Sequence, residues 1–546
     1  MKPSIKTILN KLSKTVMGGA VIIGFASIIS RVLGLFRDRL LASSFGAGET
    51  LDTYYAAFKL PDLIFNILVL GALSSSFIPV FLEYWHKDQG TVRERSWHIV
   101  NSVLNILLVT LVVLAVVMFI FSPQIVKIIA PGFTPEQLSQ TTNLTRIMLL
   151  SVIFFGISNV VSGILNSFKR FLAYSLAPIV YNLGIIFGIL VLVPSFGTIG
   201  LAWGVVLGAF LHLFVQIPAL FKTGYYYRPI FDFKDAGVRK IGKLMIPRAL
   251  SLGVNQINQL IIVAIASTLA VGSIAVFNFA NNLQFFAIST FGISLAIAAF
   301  PVFSEAFAED NRKKFIQVFS STFRRVLFFI VPVSFIMLLL RAQIVRLVLG
   351  TGNFDWNDTY LTAQSLGFFA ISLFAQSLVP LLARSFFAQH DTKTPLIISL
   401  ISMAINIILA YIFGHLWGVI GLALAFSVAA IINMSLLLIV LRKKIGNLDD
   451  KNIMHSTLRI LGASGFAALI TQGLKYVMAN NVNMQTFLGV LLQTIVAAGG
   501  AMLVYFLLAY ILKFEEVAIL KSILLRLKAQ ILNGKRKEKN HEKPTN

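Results

Sequence analysis

Polar residues interrupt this chain only at long intervals. Fourteen apolar runs, near 16–43, 53–83, 98–121, 143–166, 172–194, 198–221, 243–270, 273–303, 318–340, 360–388, 396–413, 416–440, 456–478 and 486–512, are separated by polar, Gly or Pro breaks. A bilayer core about 30 Å thick takes about 20 helical residues. The pattern therefore predicts an all-α polytopic membrane protein with 14 transmembrane helices, the seventh and eighth joined by a tight hairpin at Val271-Gly272-Ser273. Lys2, Lys6, Lys11 and Lys14 precede the first run as they would in a secretory signal. No small-x-small cleavage site closes that run before Arg31, so a retained first helix is expected.

Composition supports this reading. Of 546 residues 57% are hydrophobic and only 12% charged, about half the charged fraction of a soluble domain. The net charge of +24 and pI near 10.1 would suggest a nucleic-acid binder in a soluble chain. No segment is polar enough to present a contiguous basic face, so no nucleic acid is expected as a partner. With no Cys there is no disulfide, thiolate metal site or cysteine nucleophile, and the 7 His have no metal-ligand spacing. No metal or cofactor is expected. The basic excess instead reports orientation. If the N-terminus is cytoplasmic, 36 of the 46 Lys and Arg fall on inside loops and tails, including Lys535-Arg536-Lys537, where they can meet anionic lipid headgroups. Only Lys127, Arg341, Arg346 and Lys475 fall outside, and both termini are expected in the cytoplasm.

The chain also repeats itself. Ile78-Pro79-Val80-Phe81-Leu82-Glu83 recurs as Phe300-Pro301-Val302-Phe303-Ser304-Glu305 at an offset of 222, and Gly197-Thr198-Ile199-Gly200-Leu201-Ala202 as Gly418-Val419-Ile420-Gly421-Leu422-Ala423 at 221. A weaker pair is Ser167-Phe168 with Ser385-Phe386. Six helices per repeat gives both halves the same orientation, the parallel-repeat plan of secondary transporters with a site between the halves. The expected organisation is an N-tail 1–15, a first six-helix repeat 16–222, a linker 223–242, a second repeat 243–443, two appended helices in 444–512 and a basic C-tail 513–546.

Six basic residues escape the loop assignment: Arg31, Arg37, Arg39, Lys59, Arg146 and Arg248. A charge in mid-membrane costs on the order of 3 kcal/mol on insertion scales and marks a candidate site. Arg31 and Asp38, seven apart, share a helix face, with Arg37 about 120° away. Inward-facing arginines suit an anionic phosphate, because the guanidinium stays charged and donates paired hydrogen bonds. Arg37 and Arg39 could equally snorkel to the interface, the bland reading being favoured for Arg39. Asp52 and Lys59 are also seven apart, and Lys59 with Asp62 has the spacing of a local ion pair. The second half offers amides, Asn255, Gln256, Asn258 and Gln259 and then Asn278, Asn281, Asn282 and Gln284, which suit a hydrated wall or interhelical glue. Arg248 could face the same cavity or the headgroups. No carboxylate lies within helices 7 to 14, so an acidic cation site in that half is unsupported.

Ser30-Arg31-Val32-Leu33-Gly34 with Arg37-Asp38, Phe45-Gly46-Ala47-Gly48, Asp52 and Ala57-Phe58-Lys59-Leu60-Pro61 resemble the signature of the MurJ (MviN) lipid II flippases of the MOP exporter superfamily. Ala130-Pro131-Gly132-Phe133, Leu165-Asn166 and Asp391-Thr392-Lys393-Thr394-Pro395 continue the likeness over most of 17–443. The resemblance implies a non-enzymatic, monomeric protein of the bacterial cytoplasmic membrane. It would flip undecaprenyl-pyrophosphate-linked peptidoglycan precursor (lipid II) to the outer leaflet by alternating access, for cell-wall synthesis, among membrane lipids and wall-synthesis proteins. It also implies that Arg31, Arg37 and Asp52 line a central cavity as substrate-binding residues; by their own chemistry Lys59, Arg248, Asn255, Asn278 and Asn282 are further candidates for its lining. The last two helices would form a groove leading lipid inward. This chain departs from the family at Phe65-Asn66 and Asn282, where many members carry arginine. That departure keeps open another polyprenyl-linked glycan as cargo. A MATE-like exporter would need a membrane-buried carboxylate coupled to its ion. A membrane glycosyltransferase would need an acidic outer site, for which only Asp355 and Asp358 are available. A non-transporting wall-synthesis scaffold is the reading outside transport.

Overall fold

The computed structural model describes residues 16–87 and 94–517. The expected N-tail, Arg93, most of the C-tail and the side chain of Arg248 lie outside the described residues. All regular structure among the described residues is helical. In chain order the helices are α1 (Val16–Phe45), α2 (Glu49–Ile64), α3 (Ser74–Lys87), α4 (Glu94–Ile129), α5 (Pro135–Ser167), α6 (Phe171–Phe187), α7 (Val193–Phe196), α8 (Ile199–Phe214), α9 (Ile217–Phe221) and α10 (Ala236–Ser267). They continue with α11 (Ser273–Ala287), α12 (Ser294–Ala308), α13 (Arg312–Leu339), α14 (Arg341–Val348), α15 (Trp356–Ile371), α16 (Leu373–Ala388), α17 (Lys393–Ile445), α18 (Asp450–Asn481) and α19 (Phe487–Ile511).

Each predicted apolar run is occupied by helix. Nine helices among the described residues are long and apolar enough to cross a membrane, or ten if the bent pair α15 and α16 is one span. α17 is two helices joined at a kink, where Trp417 and Gly418 leave helical geometry. Burial follows the logic of lipid as solvent: α4 exposes Val113, Val116, Phe119 and Ile120 while burying Asn101, Ser102 and Asn105.

Three π-helical segments, Phe65–Leu73, Gly188–Leu192 and Ile288–Ile293, interrupt spans that the sequence reads as continuous. Hydrophobic periodicity does not resolve such a local widening, because both forms keep the run apolar. The first and third precede Pro79 and Pro301, the proline of the repeated motif, so the departure from α geometry recurs along with the sequence. The glycine pair behaves likewise. Gly197 has φ 64° and ψ −150°, and Gly418 φ 61° and ψ −144°, a conformation that excludes a side chain at little cost only for glycine.

Two compact units emerge. Among the described residues, the first contains those up to Leu283 with Val348–Ser365 and Ser399–Phe426. The second contains Gln284–Leu347, Leu366–Ile398 and the described chain from Ser427 onward. The core of the first includes Phe81, Trp97, Val100, Leu111 and Val160, with Trp85 and Phe168 packed against it. In the second, α19 is fixed by Tyr505, whose hydroxyl donates to Phe328 O at 2.7 Å, and by Gln493, whose Oε1 accepts from Gln343 at 3.1 Å.

The expected linker 223–242 is shorter than its sequence suggests. Asp235 accepts from Gly237 N and Val238 N and starts α10 at Ala236, so that helix begins before the apolar run does.

Candidate functional site

The polar cluster of the first unit is built around α1. Arg37 donates from Nε and Nη2 to Oδ1 of its neighbour Asp38, at 3.1 and 2.7 Å. Its Nη1 donates to Asn182 Oδ1 on α6 at 3.3 Å. Asn182 is held in turn, its Nδ2 donating to Ser30 O and Oγ at 3.2 Å and to Pro178 O at 3.0 Å. On the far side of Asp38, Asn282 Nδ2 donates to Oδ2 at 3.0 Å. Thus Asn282 donates to Asp38 and helps satisfy its carboxylate. Arg37 has used three of its five N–H donors. It is packed near Tyr54 and Tyr55 and retains 22% side-chain exposure.

Arg31 is half-buried two turns earlier on α1. Arg39 reaches Val348 O at 3.4 Å, a carbonyl at the C-terminal end of α14. Asp52 is 3% exposed and its carboxylate is fully engaged: Oδ2 accepts from Gly272 N at 2.6 Å and Oδ1 from Ala275 N at 2.9 Å. It therefore caps the start of α11, where unpaired N–H groups and the helix dipole favour an anion. A Cβ on Gly272, φ +89°, would stand 1.9 Å from Ala47 O, so the chain can bring its N–H to Asp52 only with glycine at this point.

Lys59 and Asp62 do not form the local ion pair that their spacing allows. No contact within 4.0 Å joins them, and Lys59 influences Asp62 only at longer range. The amide series divides by role. Gln256 Nε2 donates to Asp62 O at 3.0 Å and Asn258 Oδ1 accepts from Asn406 at 3.0 Å, both acting as glue. Asn278 returns to Ile274 O within its helix at 2.8 Å, and Asn255 is exposed. Among the described residues no group of three or more His, Asp or Glu could hold a metal.

Motifs outside the cluster are structural ties. Ala47 N donates to Asp358 Oδ2 at 2.8 Å, Gly132 N to Ser267 Oγ at 3.2 Å, and Thr394 N to Asp391 Oδ1 at 3.0 Å. The second unit contributes a cavity of about 850 Å³, apolar along Leu327, Phe335, Phe374, Leu438 and Met454. Charges stand at one end, where Arg442 pairs with Asp450 at 2.8 Å beside Lys451. An apolar trough with one charged end suits an acyl or prenyl chain whose headgroup lies at the polar end.

The family model for the lipid II flippase MurJ matches residues 41–496. The chain belongs to the MurJ family. A Buchnera aphidicola (subsp. Schizaphis graminum) relative named probable lipid II flippase MurJ is 31% identical over 77% of this chain and 82% of its own length. A Burkholderia cenocepacia lipid II flippase MurJ is 27% identical over 83% and 88%. A solved MurJ in an inward closed conformation superposes with a TM-score of 0.74 at 26% identity, covering 91% of this chain and all of that one. An inward-facing MATE transporter of the MOP superfamily, 18% identical, shares the fold with a TM-score of 0.65 over 79% of this chain. Within this MurJ-family chain, sequence reasoning misses the capping role of Asp52 and the buried polar line Ser158, Ser162, His212 and Gln216. The latter could have been read from polar residues spaced four apart in otherwise apolar helices.

Proposed function

We propose that the protein flips lipid II from the inner to the outer leaflet of the bacterial cytoplasmic membrane by alternating access between its two six-helix halves. It would cross the bilayer 14 times with both termini inside and act without catalysing a reaction. The observation that carries this reading is the oriented guanidinium of Arg37. Asp38 and Asn182 fix its plane while two N–H donors remain for an anion. A pyrophosphate is an acceptor-rich dianion that such a fork can bind bidentately. Arg31 on the same helix and Lys59 on α2 would supply further positive charge, Asn255, Asn278 and Asn282 would offer amides to a sugar, and Arg248, whose sequence position suits either the cavity or the headgroups, is a further candidate. Asp52 serves by holding α11 in place. The apolar cavity beside α18 supports entry of the prenyl chain. The inside-negative membrane potential favours outward movement of an anion, a sign argument for the energy source.

The test is depletion of the protein in its host with a leaflet-specific assay of lipid II. Outer-leaflet lipid II should fall on depletion and recover with the wild-type gene and with Arg39→Ala, but not with Arg31→Ala or Arg37→Ala. Unchanged outer-leaflet lipid II after depletion would overturn the flippase reading. Equal rescue by all three variants would overturn the site.

A further inference from the structure

A second cavity, of about 320 Å³, lies within the first unit, and neither Arg37 nor Asp38 is among the residues that line it; Asp62, Asn66, Tyr181 and His212 line it, with Phe65 and Phe155 among its apolar walls. Asp62 stands at the junction where α2 passes into the π segment. Its main-chain carbonyl is satisfied by Asn66 Nδ2 at 2.9 Å and by Gln256 Nε2. Its carboxylate, by contrast, accepts no hydrogen bond among the described residues. Each other carboxylate of this membrane region has donors: Asp38 has Arg37 and Asn282, and Asp52 has two backbone N–H groups. An ionised carboxylate with no donor against apolar walls is costly, and a bound cation removes that cost.

His212 sits at the same cavity and joins a line of buried hydrogen bonds. Its Nδ1 meets Ser158 Oγ at 2.7 Å, Gln216 Nε2 donates to Ser158 Oγ at 2.7 Å, and Ser162 Oγ donates to Gln216 Oε1 at 2.8 Å. This line runs along α5 and α8 toward the turn after Ser167. The other ring nitrogen, Nε2, has no hydrogen-bond partner among the described residues. An imidazole bonded at one nitrogen and open at the other can pass a proton between a polar chain and a neighbouring acid, because its two nitrogens exchange donor and acceptor roles. The cavity is large enough for several waters, each about 30 Å³, to bridge the gap.

We propose that Asp62 and His212 form a proton-binding site in the first unit, reached through Ser158, Gln216 and Ser162. A proton from solvent enters the line: Ser158 passes its hydroxyl proton to His212 Nδ1 and is reprotonated from the line, while the proton on His212 Nε2 passes through water in the cavity to a carboxylate oxygen of Asp62, which becomes the neutral acid; the N–H bond lost at Nε2 is replaced by the one formed at Nδ1, and release reverses these transfers. The charged and titratable groups around Asp62 are Lys59 on its own helix, Tyr181 on α6, His212 on α8, and Arg37 with Tyr54 at longer range. α4 between 99 and 126 and α10 between 253 and 267 contribute none, and Arg146 of α5 is turned to Ser122 at 3.0 Å. The site differs from the Arg37 cluster and does not depend on the cargo, so it stands or falls apart from lipid II flipping.

The test is an infrared pH titration of the full chain in nanodiscs, in sodium-free buffer, following the stretch of protonated carboxyl groups. The wild type should show a titrating band that Asp62→Asn removes and whose midpoint His212→Gln shifts. Thermal melting checks that the variants are folded; if Asp62→Asn is not, Asp62→Glu should retain a band at a displaced midpoint. A band that persists in folded Asp62→Asn, or is unchanged in position by either Asp62→Glu or His212→Gln, overturns the proposal. So does loss of the band on adding sodium at constant pH, which would make this a sodium site.

Discussion

At the scale of single residues, the cluster separates charges that bind from charges that hold. Asp52 matches the family pattern expected of a cavity residue, yet both of its oxygens are taken by main-chain N–H groups at the start of α11. Asp52→Asn keeps one acceptor but turns an amide N–H₂ toward a donor, leaving a buried N–H unpaired. The expected cost is about 1–3 kcal/mol of stability, read as a lowered melting temperature in detergent with Arg37→Ala as the comparison. A variant that melts like wild type but fails to complement would instead give Asp52 a direct role with substrate. Arg31 and Arg37 were legible in the sequence because charge in an apolar run is rare, whereas Asp52, just ahead of the second run, stood out through the family resemblance. Their partners were not, since Asn182 and Asn282 lie more than a hundred positions away and both look like ordinary amides.

At the scale of elements, starts and interruptions of helices matter most. Asp391 opens α17: besides Thr394 N it accepts from Thr394 Oγ1 at 2.8 Å, and Lys444 Nζ reaches it at 2.9 Å. Burial pushes this carboxyl up, but the Thr394 and Lys444 donors outweigh it and hold it down at about 2. A depressed value means that its stabilisation is complete above the unfolded value of about 4 and is lost as pH falls toward 2. The melting temperature of wild type should therefore approach that of Asp391→Asn over this window, while above pH 5 or so the gap between them stays constant. A gap that persists at the acid end would show that Asp391 acts by something other than its charge. Apolar runs gave away the long helices, because lipid demands an unbroken apolar surface; the short α14 (Arg341–Val348), with two arginines, falls between runs and was not read. The π segments stayed hidden because widening a turn changes backbone pairing without changing composition.

At the scale of the whole molecule, the 41–496 family match gives the chain its lineage, and the order of its helices fits the apolar runs. What the sequence treats as a mere connection after α9 is laced to α4. Tyr225 donates to Asn101 Oδ1 at 2.7 Å, Asn101 Nδ2 to Tyr226 O at 3.1 Å, and Asn105 Nδ2 to Arg228 O and Ile230 O at 3.0 and 2.9 Å. His98 and Asp232 close the series at 3.1 Å. Covalent continuity is thus not what keeps this stretch in place. A gene split between codons 223 and 224, its two products made together, should yield fragments that purify as one and still support growth. With Asn101→Ala and Asn105→Ala in the first fragment, residues 224–232 should become open to protease while the fragments stay together through ties such as Asp52 to Gly272 N and Asp38 to Asn282; unchanged protection would show that these bonds do not hold the stretch, and separation of the unmutated fragments that the backbone itself is the tether.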